Sequence, residues 1–174
     1  TNARSVRTAL TTDVWEAINA AWLEFSTIKP RDVTGSKLPE LLQWIRQVSN
    51  QFRGALLGTM LRDDGFAFTQ AGICVERADN TARIIDMKYY VLLPQTNLVG
   101  GDLDVQQWTL ILRAASAHRS YRHVYHDRYK AWNIADFLIL RAEMPRSLAY
   151  CAQSLDATLD GLTDYYGQHT PSND

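Results

Sequence analysis

The chain has 174 residues, 46% of them hydrophobic and 21% charged, which suits one folded domain with its own core and excludes a disordered segment. Eighteen Lys and Arg side chains against nineteen Asp and Glu leave a net charge of −1, so there is no basic field for a nucleic-acid backbone and no acidic tail. Cys74 and Cys151 stand outside any CxxC or other metal spacing, so no zinc site, cofactor or disulfide framework is expected, and a reducing cytoplasm is favoured.

The longest charge-free apolar stretch, around Tyr89 to Gly101, is too short for a membrane span and contains Pro94. No signal peptide is visible, but the chain starts at Thr1 rather than Met, which leaves a lost N-terminal segment open.

In chain order, Asp13 followed by Glu16 reads as a capping box opening a helix through about Thr27, with Val14, Trp15, Ile18, Trp22 and Phe25 as its apolar stripe. Lys29 to Lys37, with Pro30 and Gly35, reads as a loop. Pro39 suits the first turn of a second helix, which carries Leu41, Leu42, Ile45, Val48, Phe52 and Leu56 to about Leu61. Asp63 and Asp64 start a third helix running to about Leu93, roughly 45 Å long at about 1.5 Å per residue, and Pro94 ends it.

Gln95 to Leu103 reads as a loop with Gly100-Gly101, and Asp104 with Gln107 as a second capping box. The fourth helix carries Trp108, Ile111, Leu112, Ala115 and extends toward Tyr121. Asn133 caps a short apolar helix, Ile134 to Leu140; Pro145 opens a last helix to about Tyr165. Helical spacing recurs nearly everywhere and strand alternation is missing. The expected fold is therefore all-α: an antiparallel bundle of about five to six helices around one long central helix. A single domain over 1–166 and a polar tail over 167–174 are expected.

The most informative stretch is the long helix from Gly72 to Asp86. At about 100° per residue, Glu76, Asp79, Asn80 and Arg83 share one sector, while Arg77 shares another with Ile84 and Lys88. The charged stripe has two readings. In one, Glu76 and Asp79 are paired structurally with Arg83 and with arginines of other helices, Arg4, Arg7 and Arg113 first among them. In the other, carboxylates and guanidinium groups converge on a ligand. Glu-x-x-Asp is not the Glu-x-x-His spacing of di-iron bundles, so metal is not favoured.

Several segments together resemble the alpha-E family of bacterial all-helical proteins. They are Asn2-Ala3-Arg4-Ser5-Val6-Arg7 with Trp15-Glu16 and Asn19; Arg62-Asp63-Asp64-Gly65-Phe66-Ala67-Phe68; and Gly72 with Val75-Glu76-Arg77-Ala78-Asp79-Asn80-Thr81-Ala82-Arg83. Phe137-Leu138-Ile139-Leu140 and Pro145-Arg146-Ser147 complete the set. The resemblance runs in order over nearly the whole chain. It departs at Ile73, where family members commonly carry Arg, and it lacks an earlier copy of the ER-type helix, so the chain looks like the C-terminal portion of a longer protein. Members are often encoded beside, or fused to, circularly permuted ATP-grasp proteins and near transglutaminase-like peptidases. The resemblance thus implies a role alongside amide- or peptide-bond formation and cleavage. It does not imply that the helical domain performs the chemistry.

Other constellations are weaker. His118, His123 and His126 sit near the end of the fourth helix, and His123 and His126, three apart, share a face if the helix continues, but no further ligand spacing supports a metal. Cys74 sits in an apolar run and reads as packing. Ser147 at a helix start fits a first-turn role better than an anion site. Gly100-Gly101 fits no nucleotide fingerprint, and Asp102 and Asp104 would repel phosphate. Arg4, Arg7, Arg62, Arg77, Arg83, Arg113 and Arg146 fall at or near the family-like segments and suit ion pairs or an anionic ligand.

The expected function is an accessory or partner-binding domain for an ATP-grasp type ligase, with Glu76, Arg77, Asp79, Arg83, Arg4, Arg7, Arg113 and Arg146 as candidate site residues. One alternative is an enzyme with a carboxylate/arginine site for an aminoacyl or phosphate-bearing substrate. Another is a structural unit of a homo-oligomer.

Overall fold

Every regular element among the described residues is helical, as the apolar spacing demands. The computed structural model of the chain describes residues 2–90, 101–126 and 128–167. Its contacts divide the chain into two compact units, Thr1–Phe66 and Ala67–Asp174.

In the first unit a single turn, α1 (Asn2–Ser5), precedes α2 (Thr12–Phe25), and two 3-10 turns lead to α3 (Leu38–Thr59). The cap of α2 is Thr11, whose Oγ1 accepts from the Val14 backbone N–H at 3.4 Å. This corrects the Asp13–Glu16 capping box. Thr11 has the extended backbone that a cap requires, and Asp13 falls inside the first turn, where its charge faces the positive helix end. Pro39 does lie in the first turn of α3.

The two helices pack as an antiparallel hairpin, and the hydroxyls of Thr11 and Thr59, at the start of one and the end of the other, meet at 2.7 Å. Val14, Ala17 and Leu56 are buried. Trp22, Phe25, Leu42 and Ile45 are exposed, so only part of each apolar stripe is core. A helix pair covers one facing strip of each partner, and a stripe wider than that strip stays open to water.

Asp63 Oδ1 accepts from the Phe66 N–H at 3.1 Å and starts α4 (Asp64–Tyr90), the long helix expected there. An added Cβ at Gly65 would come within 3.3 Å of that same Oδ1, so glycine keeps the cap open. Arg62 donates to the Leu57 carbonyl at 2.6 Å and lies over the Phe66 ring at 3.9 Å, closing the turn from α3. Pro94, the expected helix end, and Gly100 lie outside the described residues.

The second unit continues with α5 (Asp102–Ala114), α6 (His118–Tyr125), α7 (Ala131–Ala135) running into a π-helical turn (Asp136–Leu140), and α8 (Leu148–Tyr166). Its core gathers Trp108, Ile111 and Leu112 of α5, Tyr121 of α6, Ile134 of α7, Phe137 and Leu138 of the π turn, and Met144. Ile84 and Ile85 of α4 pack against it. Burying each such side chain contributes about 1.5–3 kcal/mol. Tyr121 stacks on Tyr125 at 5.0 Å and meets Phe137 edge-on at 5.5 Å.

Several expected boundaries are corrected here. The fourth helix does not reach Tyr121. It breaks at Ser116, at φ +53°, where the Ala117 N–H reaches back to the Leu112 carbonyl at 2.7 Å, and the break lets Ala115, Ala117 and Tyr121 all enter the core. Asn133 does not cap a helix: α7 starts at Ala131, and Asn133 Nδ2 donates to the Arg128 carbonyl at 3.4 Å. Pro145 does not open the last helix; Ser147 caps α8, its Oγ accepting from the Tyr150 N–H at 3.0 Å. At its far end Gly167, at φ +66°, is the left-handed C-terminal cap, a conformation that costs glycine little. The tail after Gly167 lies outside the described residues.

Candidate functional site

The long helix α4 has two sides with different surroundings. Arg77, Thr81, Ile84 and Lys88 lie four, seven and eleven residues along one stripe, within a sector of about 60°. Arg77 Nη1 donates to the Pro145 carbonyl at 2.9 Å, and Thr81 Oγ1 to the Arg146 carbonyl at 2.8 Å. Ser147, the next residue, is fully buried, donates from Oγ to the Arg141 carbonyl at 2.6 Å and caps α8. The Glu-Arg segment and the Pro-Arg-Ser segment are thus two halves of one clasp. Pro145 and Arg146 sit in the turn before α8, with carbonyls free of helical bonding to accept from α4.

One turn before Arg77 is Cys74 and one turn after Ser147 is Cys151; both are free and buried, in keeping with a packing role for Cys74. Burial pushes the Cys151 thiol up, against the opposing pull of Arg77, which keeps it a packing group too. At the other end of the stripe, Lys88 Nζ donates to Asp104 Oδ1 and Gln107 Oε1, each at 2.6 Å, and lies 5.2 Å from the centre of the Trp108 ring. The second expected capping box, Asp104 with Gln107, is corrected accordingly: the α5 cap position is Gly101, and both side chains turn to a buried ammonium group instead. A buried ammonium group left unpaired costs several kcal/mol, whereas the N–H groups of a helix start can be satisfied by water.

A second side of α4 faces solvent. Glu76, Asp79, Asn80 and Arg83 are all exposed. Asp79 and Arg83 pair along the helix at 2.7 Å, and that hydrogen bond raises the Arg83 guanidinium above its ordinary value. Glu76 takes no ion pair with Arg113 or any other described residue of its own unit, so the expected bond from Arg113 is corrected. The separation of Glu76 from Arg77 by about 100° holds, and only the arginine is tied to a neighbouring segment. Flanking this charged patch, Phe68, Val75 and Met87 are 60%, 55% and 50% exposed.

The remaining candidates each have surroundings of their own within their units. Arg4 is exposed in α1, and Arg7 lies over the Trp15 ring at 4.8 Å, both within the first unit, where Arg7, Trp15 and Glu16 help line a shallow cleft of about 200 Å³. Arg113 is exposed on α5, while Arg146 contributes its carbonyl to the clasp. His118 Nε2 meets the Tyr129 hydroxyl at 3.0 Å. His126, at φ +56°, lies beyond the end of α6, so it does not share a face with His123 as the spacing suggested. Among the described residues no three His, Cys, Asp or Glu side chains are grouped to hold a metal, and no helix is long and apolar enough to cross a membrane.

The family model for Alpha-E, described as a predicted alpha-helical domain with a conserved ER motif, matches residues 1–174. The chain belongs to the Alpha-E family. No curated protein and no solved structure matches it. In this Alpha-E chain the ER motif is Glu76-Arg77, and its two residues have separate surroundings: Arg77 in the clasp, Glu76 in solvent. Sequence reasoning placed Lys88 in the Arg77 sector but named neither it nor Thr81 as a residue with a buried partner. Their signal was their place on the Arg77 stripe, because polar side chains in line with an inward-facing residue need buried partners.

Proposed function

We propose that this Alpha-E chain is a partner-binding accessory domain and that the solvent side of α4 is its docking surface. The observation that carries the reading is the division of the ER helix. Arg77, Thr81 and Lys88 fasten one side, while Glu76, the Asp79–Arg83 pair, Phe68, Val75 and Met87 are left exposed on the other. A rigid helix face with charged groups beside scattered apolar ones suits a polar, regulated interface.

A catalytic reading of the same residues is less well supported. Glu76, Asp79 and Arg83 are exposed, and the two clefts described are lined by other side chains. Water at high dielectric weakens carboxylate and guanidinium groups as catalysts. The partner implied by the family resemblance is an ATP-grasp type amide or peptide ligase.

Co-purification of the protein with a co-expressed ATP-grasp type ligase tests this. Retention of the partner by wild type and its loss in Val75→Asp and Glu76→Arg, both folded, is the expected result. Equal retention by all three, or none by wild type, rejects the reading. Self-association is a second reading, favoured by the exposure of Trp22, Leu23, Phe25, Leu42 and Ile45 on the first unit. A sedimentation profile that stays monomeric at high concentration rejects it.

A further inference from the structure

The second unit carries a cleft of about 490 Å³ away from the ER stripe. Its floor is apolar, made by the buried side chains of Phe137 and Met144. Arg119 and His123, one turn apart on α6, stand at its lip, exposed and with no hydrogen bond or ion pair among the described residues. Across from them Arg141 pairs with Glu143 at 3.2 Å. Two guanidinium groups against one carboxylate give the described lining of the lip an excess of positive charge, and Arg119 takes no acidic partner among the described residues.

The π-helical turn sets up this arrangement. The Arg141 N–H reaches back to the Asp136 carbonyl at 3.1 Å, a five-residue closure, and the Tyr125 hydroxyl donates to the Asp136 carboxylate. Such turns are retained at a cost in helix regularity and recur at binding sites. Here the turn contributes Phe137 to the floor and ends at Arg141 on the lip. The Ser147 hydroxyl bond to the Arg141 carbonyl holds that backbone from the other side.

We infer that this cleft is a binding site for a small organic anion: a carboxylate or phosphate head held by Arg119, His123 and Arg141, on an aromatic or branched aliphatic body lying over Phe137 and Met144. The volume is within the range of small-molecule pockets, and an apolar floor with a few convergent polar groups is their usual composition. Arginine presents paired N–H donors that match both oxyanions. This site is independent of the docking surface on α4.

The test is calorimetric titration of the whole chain with phenyl phosphate, phenylacetate and the uncharged 2-phenylethanol. The expected result is that at least one anion binds at millimolar concentration or better and that the alcohol binds at least about tenfold more weakly, a difference of about 1.4 kcal/mol. The stronger anion identifies the head group. Arg119→Gln, at an exposed position, weakens that anion about tenfold or more with an unchanged circular dichroism spectrum, while Arg113→Gln, outside the cleft, leaves it unchanged. Arg141→Gln should act in the same direction, but Arg119→Gln decides the matter if that variant fails to fold. Binding of neither anion, equal binding of the alcohol, or an Arg119→Gln affinity equal to wild type overturns the inference.

Discussion

Lys88 and Asp104 form a buried ion pair, with Nζ and Oδ1 2.6 Å apart and the lysine side chain only 1% exposed. Gln107 takes a second bond from the same ammonium group, and the Trp108 ring lies beside it, so α4 and α5 are joined by a charge that water does not reach. Removing one partner of such a pair leaves the other buried and uncompensated. Asp104→Ala should cost about 3–5 kcal/mol in denaturant melts, while the double change Lys88→Met with Asp104→Leu should lie within about 2 kcal/mol of wild type. A single variant as stable as wild type would show that the lysine escapes to solvent.

The two residues of the ER motif should respond differently to truncation. Arg77→Ala removes a charge-assisted bond to the Pro145 carbonyl and should cost about 1.5–3 kcal/mol. Glu76→Ala removes an exposed, unpaired carboxylate and should change stability by less than about 0.5 kcal/mol. Parallel urea melts of the two variants measure this. Equal losses would mean that Glu76 has a structural partner in solution.

Ser147 has two tasks at one buried oxygen, capping α8 and donating to the Arg141 carbonyl. Ser147→Ala loses both and should cost about 2–3 kcal/mol, more than an exposed cap. Ser147→Thr keeps the oxygen and should recover part of that loss, as read from thermal melts by circular dichroism.

Alkaline pH should destabilise the second unit through Tyr121. Burial pushes its hydroxyl up to about 12, and the hydroxyl donates to the Arg128 carbonyl at 2.5 Å. In the unfolded chain it ionises at about 10, so above that pH the unfolded state holds fewer protons than the folded one. The stability from this group is complete below about pH 10 and falls as pH rises through about 12, by up to about 3 kcal/mol. Tyr121→Phe should start less stable, having lost the Arg128 bond, yet show a shallower alkaline decline. Identical slopes for wild type and variant, measured by denaturant melts across that range, would exclude Tyr121 as the source.

The all-helical fold, the long helix, the turn at Asp63 and Asp64, and the separate sectors of Glu76 and Arg77 were legible in the sequence. They follow from local rules: a period near about 3.6, carboxylates at helix starts, and a fixed angle between adjacent residues. Which polar residues are capped, paired or free was not legible, because those outcomes are competitions between partners distant in the chain. Asp104 and Gln107 have the spacing of a capping box, but a buried lysine outbids the helix end. Pro145 has the look of a helix start, but its carbonyl is held by Arg77 while Ser147 takes the cap. Glu76 has the charge for a cross-helix pair and lies on the side of α4 that faces water. The sequence by itself determined the elements and the direction in which each side chain leaves its helix. Only the tertiary structure decided which of those directions led to a partner, because the desolvation that makes a polar pair strong exists only after the helices have packed.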